Sequence, residues 1–373
     1  MSWSPEHPFN ALPPLPPRGD VETRAVLKST IEARAALAEL NAAARQLANP
    51  AVVINAIPLL EAQASSQIEN IVTTTDELFA ATATSHALLE EASAAVRETL
   101  RYRSALRVGF DSLGSRPIST QTAVGICSQI RGHEVRVRDG EVYIGNPLTR
   151  ERVYTPPSTP DVIQGLLDNW SLFVNSGARE RSDIDDLDPV VRMALAHYQF
   201  EAIHPFTDGN GRTGRILNVL MLCDAQLLEL PLLYLSREII ATKDEYYQRL
   251  LDVTQHGAWE EWLVYFVEQV RRSGERTLSL VQELTRLHED LTTHTRTVTG
   301  TANADLASVL MEQPYARTKN VTDRCGVSRP TATRWMKSLV ATGVLDEVKV
   351  GREVLYLNTR MLEVLSGIAS LNE

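Results

Sequence analysis

Cysteine is scarce: Cys127, Cys223 and Cys325 are the only three in 373 residues, far apart and odd in number. That excludes a disulfide framework or a thiolate zinc cluster and points to a reducing compartment. Positive charge is also short. Lys and Arg number 37 against 47 Asp and Glu, a net charge of -10, so the chain is no general polyanion binder. Nucleic-acid contact would need a local basic patch. Long apolar runs are missing too. The most apolar stretch, Ile216 to Leu235, is broken by Asp224, Gln226, Glu229 and Pro231, which suits a protein core and excludes a bilayer span. The proline-rich start, Met1 to Gly19, has no basic segment followed by an apolar run. It does not read as a signal peptide, and the expected location is the cytoplasm.

What is present is ordinary globular composition, 43% hydrophobic and 23% charged, with length for two or three domains. Residues 1–103 read as an N-terminal helical region, rich in Ala, Leu and Glu after an extended surface leader at Pro13 to Pro17. Residues 104–287 read as a core, 288–303 as a polar, threonine-rich linker, and 304–373 as a tail domain. In the core, alternation from Val135 to Ile144 around Asp139-Gly140 predicts a β-hairpin, and Arg152 to Thr155 a further strand stopped by Pro156-Pro157. Asp188 and Pro189 read as a helix start, with Val191, Leu195, Tyr198 and Ala202 on its buried face. In the tail, Thr318 to Arg324 and Arg329 to Thr342 predict two short helices about Gly326, with Ser328 as N-cap. A hairpin over Val344 to Leu357 follows, a winged-helix layout. The expected fold is mainly α, with a small β-hairpin in the core and an α+β tail.

One segment carries chemistry: His204-Pro205-Phe206-Thr207-Asp208-Gly209-Asn210-Gly211-Arg212-Thr213-Gly214-Arg215. Gly209 and Gly211 let successive backbone N–H groups turn inward as an anion nest, and the helix that follows adds its positive end. Arg212 and Arg215, three apart, offer forked contacts to phosphate oxygens. Asp208 is a hard oxygen ligand beside the nest, suited to magnesium bridging two phosphates. His204 is placed to take a proton from an attacking hydroxyl. Phe206 is expected to anchor the loop in the core.

The segment resembles the Fic family signature His-Pro-Phe-x-[Asp/Glu]-Gly-Asn-Gly-Arg-x-x-Arg, with every fixed position present. The resemblance implies a helical Fic fold and transfer of AMP from ATP to Tyr, Thr or Ser hydroxyls of proteins, the chain itself included, with pyrophosphate released. It implies His204 as general base and Asp208 as Mg²⁺ ligand. The Gly209 to Gly211 backbone and Asn210 would hold the α-phosphate. Arg212 and Arg215, across Thr213 and Gly214, would hold the β- and γ-phosphates. The kinase-like branch has lysine at the position of Gly211 and is disfavoured.

Ser65 and Glu69, four apart on one helix face, describe by themselves only a solvated surface. Beside the loop they resemble the family's inhibitory helix, [Ser/Thr]-x-x-x-Glu-[Gly/Asn], in its N-terminal placement. This implies that Glu69 pairs with Arg215 and represses transfer. The strands around Tyr143, Ile144, Val153 and Tyr154 resemble the target-docking flap. Tyr247, in Tyr246-Tyr247, resembles a tyrosine near adenosine. Thr254 stands where some relatives have an adenine-reading asparagine. His133, His197, His256, His288 and His294 have no metal spacing.

In the tail, Arg317, Lys319, Arg324, Arg329, Arg334 and Lys337 form a basic bias diluted by Asp346, Glu347, Glu353, Glu363 and Glu373. The expected partners are therefore a target protein, DNA through the tail, or a second copy in a homodimer, and no membrane. Two other readings stay open: a DNA-binding regulator with a Fic sensor domain, and an enzyme that removes AMP with Glu69 positioning a water.

Overall fold

The computed structural model describes residues 3–47, 49–84, 90–145, 149, 151–176, 187–301, 303–350 and 353–370. Helices dominate. The N-terminal region supplies α1 (Arg24–Arg45), α2 (Ala51–Ile68), α3 (Thr75–Ala83) and α4 (Ala94–Ser112). The core continues with α5 (Thr120–Arg131), β1 (Ile144–Gly145), β2 (Arg152–Tyr154), α6 (Pro160–Asn175), α7 (Pro189–Ile203) and α8 (Asn210–Asp224). Then come α9 (Leu235–Ala241), α10 (Lys243–His256) and the long α11 (Trp259–Thr299).

The centre of the fold is α7. Asp188 caps its start, accepting from the Val190 N–H. Thirteen of its 15 residues are buried, so the single apolar face expected from sequence is too narrow a description. A helix covered on all sides needs internal partners for its polar groups. His197 has them: Nε2 meets the Tyr246 hydroxyl at 2.8 Å and Nδ1 meets Asn218 Nδ2 at 3.1 Å. Around α7 the helices pack closely. A methyl at Gly274 of α11 would stand 3.1 Å from Ala36 Cβ of α1.

The N-terminal leader is extended but not merely superficial. Leu12 and Leu15 are buried, and Asn169 clasps the Leu15 backbone through its N–H at 2.7 Å and its carbonyl at 2.9 Å.

Two expectations fail. No hairpin forms about Asp139-Gly140; β1 instead pairs antiparallel with β2, Ile144 opposite Tyr154 and Gly145 opposite Arg152. Arg138 is buried, with its backbone N–H spent on the Pro205 carbonyl and its guanidinium on the His204 and Pro157 carbonyls, so it does not pair across Asp139-Gly140. Residues 146–148 and 150, between the two strands in sequence, lie outside the described residues. The threonine-rich stretch from His288 is not loop: residues 288–299 are the last turns of α11. Leu287, Leu291 and Thr295, at helical spacing, are buried there. Packing outweighs the weak helix propensity of threonine.

The tail comprises α12 (Asp305–Met311), β3 (Tyr315–Ala316), α13 (Thr318–Cys325), α14 (Arg329–Ala341), β4 (Asp346–Val350), β5 (Glu353–Leu357) and α15 (Thr359–Ser370). Ser328 caps α14 as expected, accepting from Thr331 N–H, and the sheet order is β3-β5-β4. The tail packs on the N-terminal helices. Asn49 donates to the Ser308 carbonyl at 3.2 Å and Asn55 to that of Glu312 at 3.1 Å. Two of its basic residues are paired internally, Arg317 with Glu353 at 2.7 Å and Arg324 with Glu312 at 3.0 Å, which weakens the DNA reading. No described helix is long and apolar enough to cross a membrane.

Candidate active site

The site is built where α7 ends and α8 begins. His204 closes α7 in the left-handed region, φ 51°, with its N–H still bonded to the Phe200 carbonyl. This turns the chain sharply, and Phe206 drops into the core as expected, fully buried. Gly209, φ 90°, is the N-cap of α8 and takes a conformation that a side chain would strain. The N–H groups of the first turn of α8 therefore point out of its positive end.

Two clasps hold this turn. Asn210 is buried, its Oδ1 accepting from the Phe206 N–H at 2.8 Å and its Nδ2 donating to the Phe206 carbonyl at 2.8 Å. Its amide thus closes the loop on itself, so the side chain is already spent and is not free to meet a ligand. Arg138 is the second clasp. Its Nε donates to the His204 carbonyl at 2.7 Å and Nη2 to those of Ile203 at 3.0 Å and Pro157 at 2.7 Å. Its own N–H reaches the Pro205 carbonyl at 2.9 Å.

His204 is half-buried. Its Nδ1 lies 3.3 Å from the Glu201 carbonyl, which can only accept, so Nδ1 carries the proton and Nε2 keeps its lone pair. Burial, with the Arg138 charge adding to it, lowers the histidine to about 4. The imidazole is neutral at pH 7 and able to take a proton.

Arg215 is fully buried and held by α2. Nε donates to Ser65 Oγ at 2.7 Å, and Nη2 to the Ser65 carbonyl at 2.9 Å and to Glu69 Oε1 at 3.0 Å. Glu69 is the C-cap of α2 and Asn70 follows at φ 63°. Lys243 Nζ pins that end by donating to the Ile68 carbonyl at 2.7 Å. Buried Glu61 braces the middle of α2, accepting from the Ser236 N–H at 2.9 Å and the Tyr102 hydroxyl at 3.2 Å. The Glu69 carboxylate reaches into the nest: a Cβ on Gly211 would stand 2.5 Å from Glu69 Oε1 and 2.9 Å from Arg215 Nη1.

Arg212 is buried against Glu98 of α4 and lies 3.3 Å from Asp208 Oδ1, while Asp208 Oδ2 is bonded to Arg131 of α5. Thr213 and Gly214, expected at the nucleotide, face the core. Thr213 is fully buried, and a Cβ on Gly214 would meet Glu201 Oε1 at 2.5 Å and Phe200 at 3.3 Å. Burial raises the Glu201 carboxyl to about 8, so it is mainly protonated at neutral pH.

Of the flap residues, Tyr143 and Val153 are exposed and Ile144 is half-buried. Tyr154 is turned inward, its hydroxyl donating to the Ala202 carbonyl at 2.8 Å, so its side chain anchors the strand and cannot dock a target. Tyr247 is 43% exposed, edge-on to buried Tyr246 at 5.2 Å, and its hydroxyl feels both Glu69 and Arg215. Thr254 is taken up by the Tyr198 hydroxyl at 2.9 Å.

Among the described residues, no three or more His, Cys, Asp or Glu side chains gather as a metal cage. Asp208 is one exposed carboxylate beside the N-terminal end of α8, a hard oxygen donor of the kind that suits magnesium. Sequence reasoning missed Glu98, Arg131, Arg138 and Glu201. None of the four lies in the signature, and nothing in local spacing marks them.

Residues 27–111 match the family described as Fic/DOC family N-terminal, 118–222 match Fic/DOC family, and 287–361 match Protein adenylyltransferase SoFic-like, C-terminal domain. Protein adenylyltransferase fic-1 of Caenorhabditis elegans is 34% identical over 148 residues, covering 39% of this chain and 25% of the relative. Protein adenylyltransferase Fic of Nematostella vectensis is 27% identical over 164 residues, 44% of this chain and 34% of the relative. The chain thus spans only a quarter to a third of these relatives. The fold is shared with the crystal structure of a Fic family protein from Desulfovibrio desulfuricans G20. The TM-score is 0.55 and identity 19%, over 90% of this chain and 96% of that one. A Fic domain containing signaling protein from Bacteroides thetaiotaomicron VPI-5482 matches at TM-score 0.51 and 18% identity, over 70% of this chain and 97% of that one. The signature loop sits inside the second family match, the α2 brace inside the first, and the chain belongs to the Fic/DOC family.

Proposed function

We propose that this chain transfers AMP from ATP to a Tyr, Thr or Ser hydroxyl of a protein, its own included, and that Glu69 holds the reaction off. The reading is carried by one convergence. Neutral His204, the cradle at Gly211 and the guanidinium groups of Arg212 and Arg215 all gather at the N-terminal end of α8. The relatives named above carry the name protein adenylyltransferase.

In the forward step the target hydroxyl loses its proton to His204 Nε2 while its oxygen attacks the α-phosphorus of ATP. The bond from that phosphorus to the β-phosphate bridge breaks, AMP stays on the target as a phosphodiester, and pyrophosphate leaves. The first-turn N–H groups of α8 stabilise charge on the α-phosphate. Arg212 and Arg215 face the departing phosphates. Asp208 would hold a magnesium ion, which when bound would supply charge neutralisation to the phosphates. The exposed Tyr143 and Val153 edge of the flap presents the target segment by strand addition.

The brake is electrostatic and steric. Glu69 Oε1 stands in the cradle and pairs with Arg215. A phosphate there meets a like charge and finds its arginine taken.

The test uses labelled ATP with wild type, Glu69→Gly and His204→Ala. Label on protein is expected from α-labelled but not γ-labelled ATP, at least tenfold stronger in Glu69→Gly, and absent in His204→Ala. Label from the γ position sinks the AMP reading, and persistent label in His204→Ala removes the base.

A further inference from the structure

Asp208 has two carboxylate oxygens, and each carries a guanidinium. Oδ1 lies 3.3 Å from Arg212 Nη2, and Oδ2 accepts from Arg131 Nη1. The two arginines are not equally free. The Arg212 side chain is 2% exposed and also bonded to Glu98. That of Arg131 is 30% exposed, at the last residue of α5, with its stem crossing Gly209, where a Cβ would meet Arg131 Cδ at 3.6 Å.

A magnesium ion on Asp208 sits about 2 Å from a carboxylate oxygen. That puts two positive charges beside a guanidinium bonded to the same group, a strong repulsion at this range. One arginine has to leave. Releasing Arg212 would strand a buried cation. Releasing Arg131 returns a partly exposed side chain to water at little cost. A second carboxylate is at hand: Glu98, whose Oε1 holds Arg212, already lies 3.8 Å from Arg131 Nη1.

We propose that Arg131 is a built-in stand-in for the divalent cation. It neutralises and aims the Asp208 carboxylate, and metal binding moves it from Asp208 toward Glu98. The inference rests on Asp208 as metal ligand, from the function proposed above, and adds a residue outside the signature. Its consequence is selective. Arg131 competes with free metal, whereas a metal that arrives with the negative charge of a nucleotide overcomes that competition.

Manganese alone is the probe, read by water-proton relaxation on the full chain without nucleotide. Arg131→Gln is expected to bind Mn²⁺ about three- to tenfold more tightly than wild type, the scale of one partly exposed ion pair. Arg131→Lys, which keeps the charge but loses the fork, is expected to fall between them. Asp208→Asn is expected to lose the binding. Unchanged or weaker binding in Arg131→Gln, alongside loss in Asp208→Asn, overturns the stand-in alone. Binding that survives Asp208→Asn, or no binding in any variant, overturns the metal reading and the stand-in together. Labelling from α-labelled ATP is a separate measurement, so failure of AMP transfer remains distinguishable from either result.

Discussion

Arg138 Nε donates to the carbonyl of His204 at 2.7 Å, so the residue proposed as base is held through its backbone by a buried cation 66 positions upstream. The same guanidinium satisfies the Ile203, Pro157 and Gly140 carbonyls. Arg138→Met should therefore cost about 2–3 kcal/mol of stability, the scale of a buried charged hydrogen-bonding group left without partners. It should also lower labelling in the Glu69→Gly background. Denaturant unfolding checks the first and α-labelled ATP the second. A variant as stable as wild type refutes the clasp.

Ser65 and Glu69 share Arg215, which makes the brake divisible. Ser65→Ala removes the acceptor of the Nε bond but leaves the Ser65 carbonyl and the Glu69 carboxylate in place. Automodification should rise but stay short of the Glu69→Gly effect: the lost bond joins the charged guanidinium to a neutral hydroxyl, worth about 1.5–3 kcal/mol, while the Glu69 carboxylate still stands in the cradle. An increase equal to that of Glu69→Gly would mean the hydroxyl, not the charge, is the brake.

How far the site is legible in sequence follows from how local its parts are. His204 to Arg215 is contiguous, so its glycines, arginines and carboxylate suggest an anion nest by spacing, and the resemblance to a family supplies the individual roles proposed for them. The Glu69–Arg215 pair spans 146 positions and becomes visible only through resemblance to a family. Glu98, Arg131 and Arg138 are visible by neither route, since each is an ordinary charged residue until tertiary packing buries it or brings it to the loop. Thr213 and Gly214 mislead in the opposite way. They belong to the signature by position, yet the turn of α8 directs them into the core. The end of α11 misleads through composition. Its threonines bond back to their own helix, Thr292 Oγ1 to the His288 carbonyl at 2.8 Å among them, which satisfies the hydroxyls; burial of Leu287, Leu291 and Thr295 is what keeps the segment helical.

The pH dependence has a defined sign. His204 sits at about 4 in the folded chain, below its ordinary 6.5. Labelling by Glu69→Gly should stay level as pH falls from 8 toward 5 and drop only as pH passes through about 4. Stability moves in the same direction for a different reason. His204 at about 4 and His197 at about 3 both take up protons more readily when unfolded, which costs the folded state stability as pH falls from about 6.5 toward 4. Glu201 at about 8 works the opposite way and offsets part of it, so the net loss is that of two histidines against one carboxyl. Unfolding curves at pH 7 and pH 5 check the second effect, and a rate profile with its midpoint near 6.5 contradicts the first.

Gly211 separates the cradle from the brake. Its missing side chain leaves space that Glu69 Oε1 enters at 2.5 Å and Arg215 Nη1 at 2.9 Å, measured to the Cβ that is not there. Gly211→Ala must push the carboxylate away, and by that criterion alone it should behave like Glu69→Gly. The methyl also stands where a phosphate oxygen needs to approach the backbone, and Arg215 is crowded even with the carboxylate gone. Gly211→Ala should therefore lose labelling by at least tenfold, both alone and combined with Glu69→Gly. The test is nucleotide binding with a non-hydrolysable ATP analogue in the double variant. Binding equal to that of Glu69→Gly would show that the space over Gly211 serves only the brake, and the phosphate site would have to be sought elsewhere on α8.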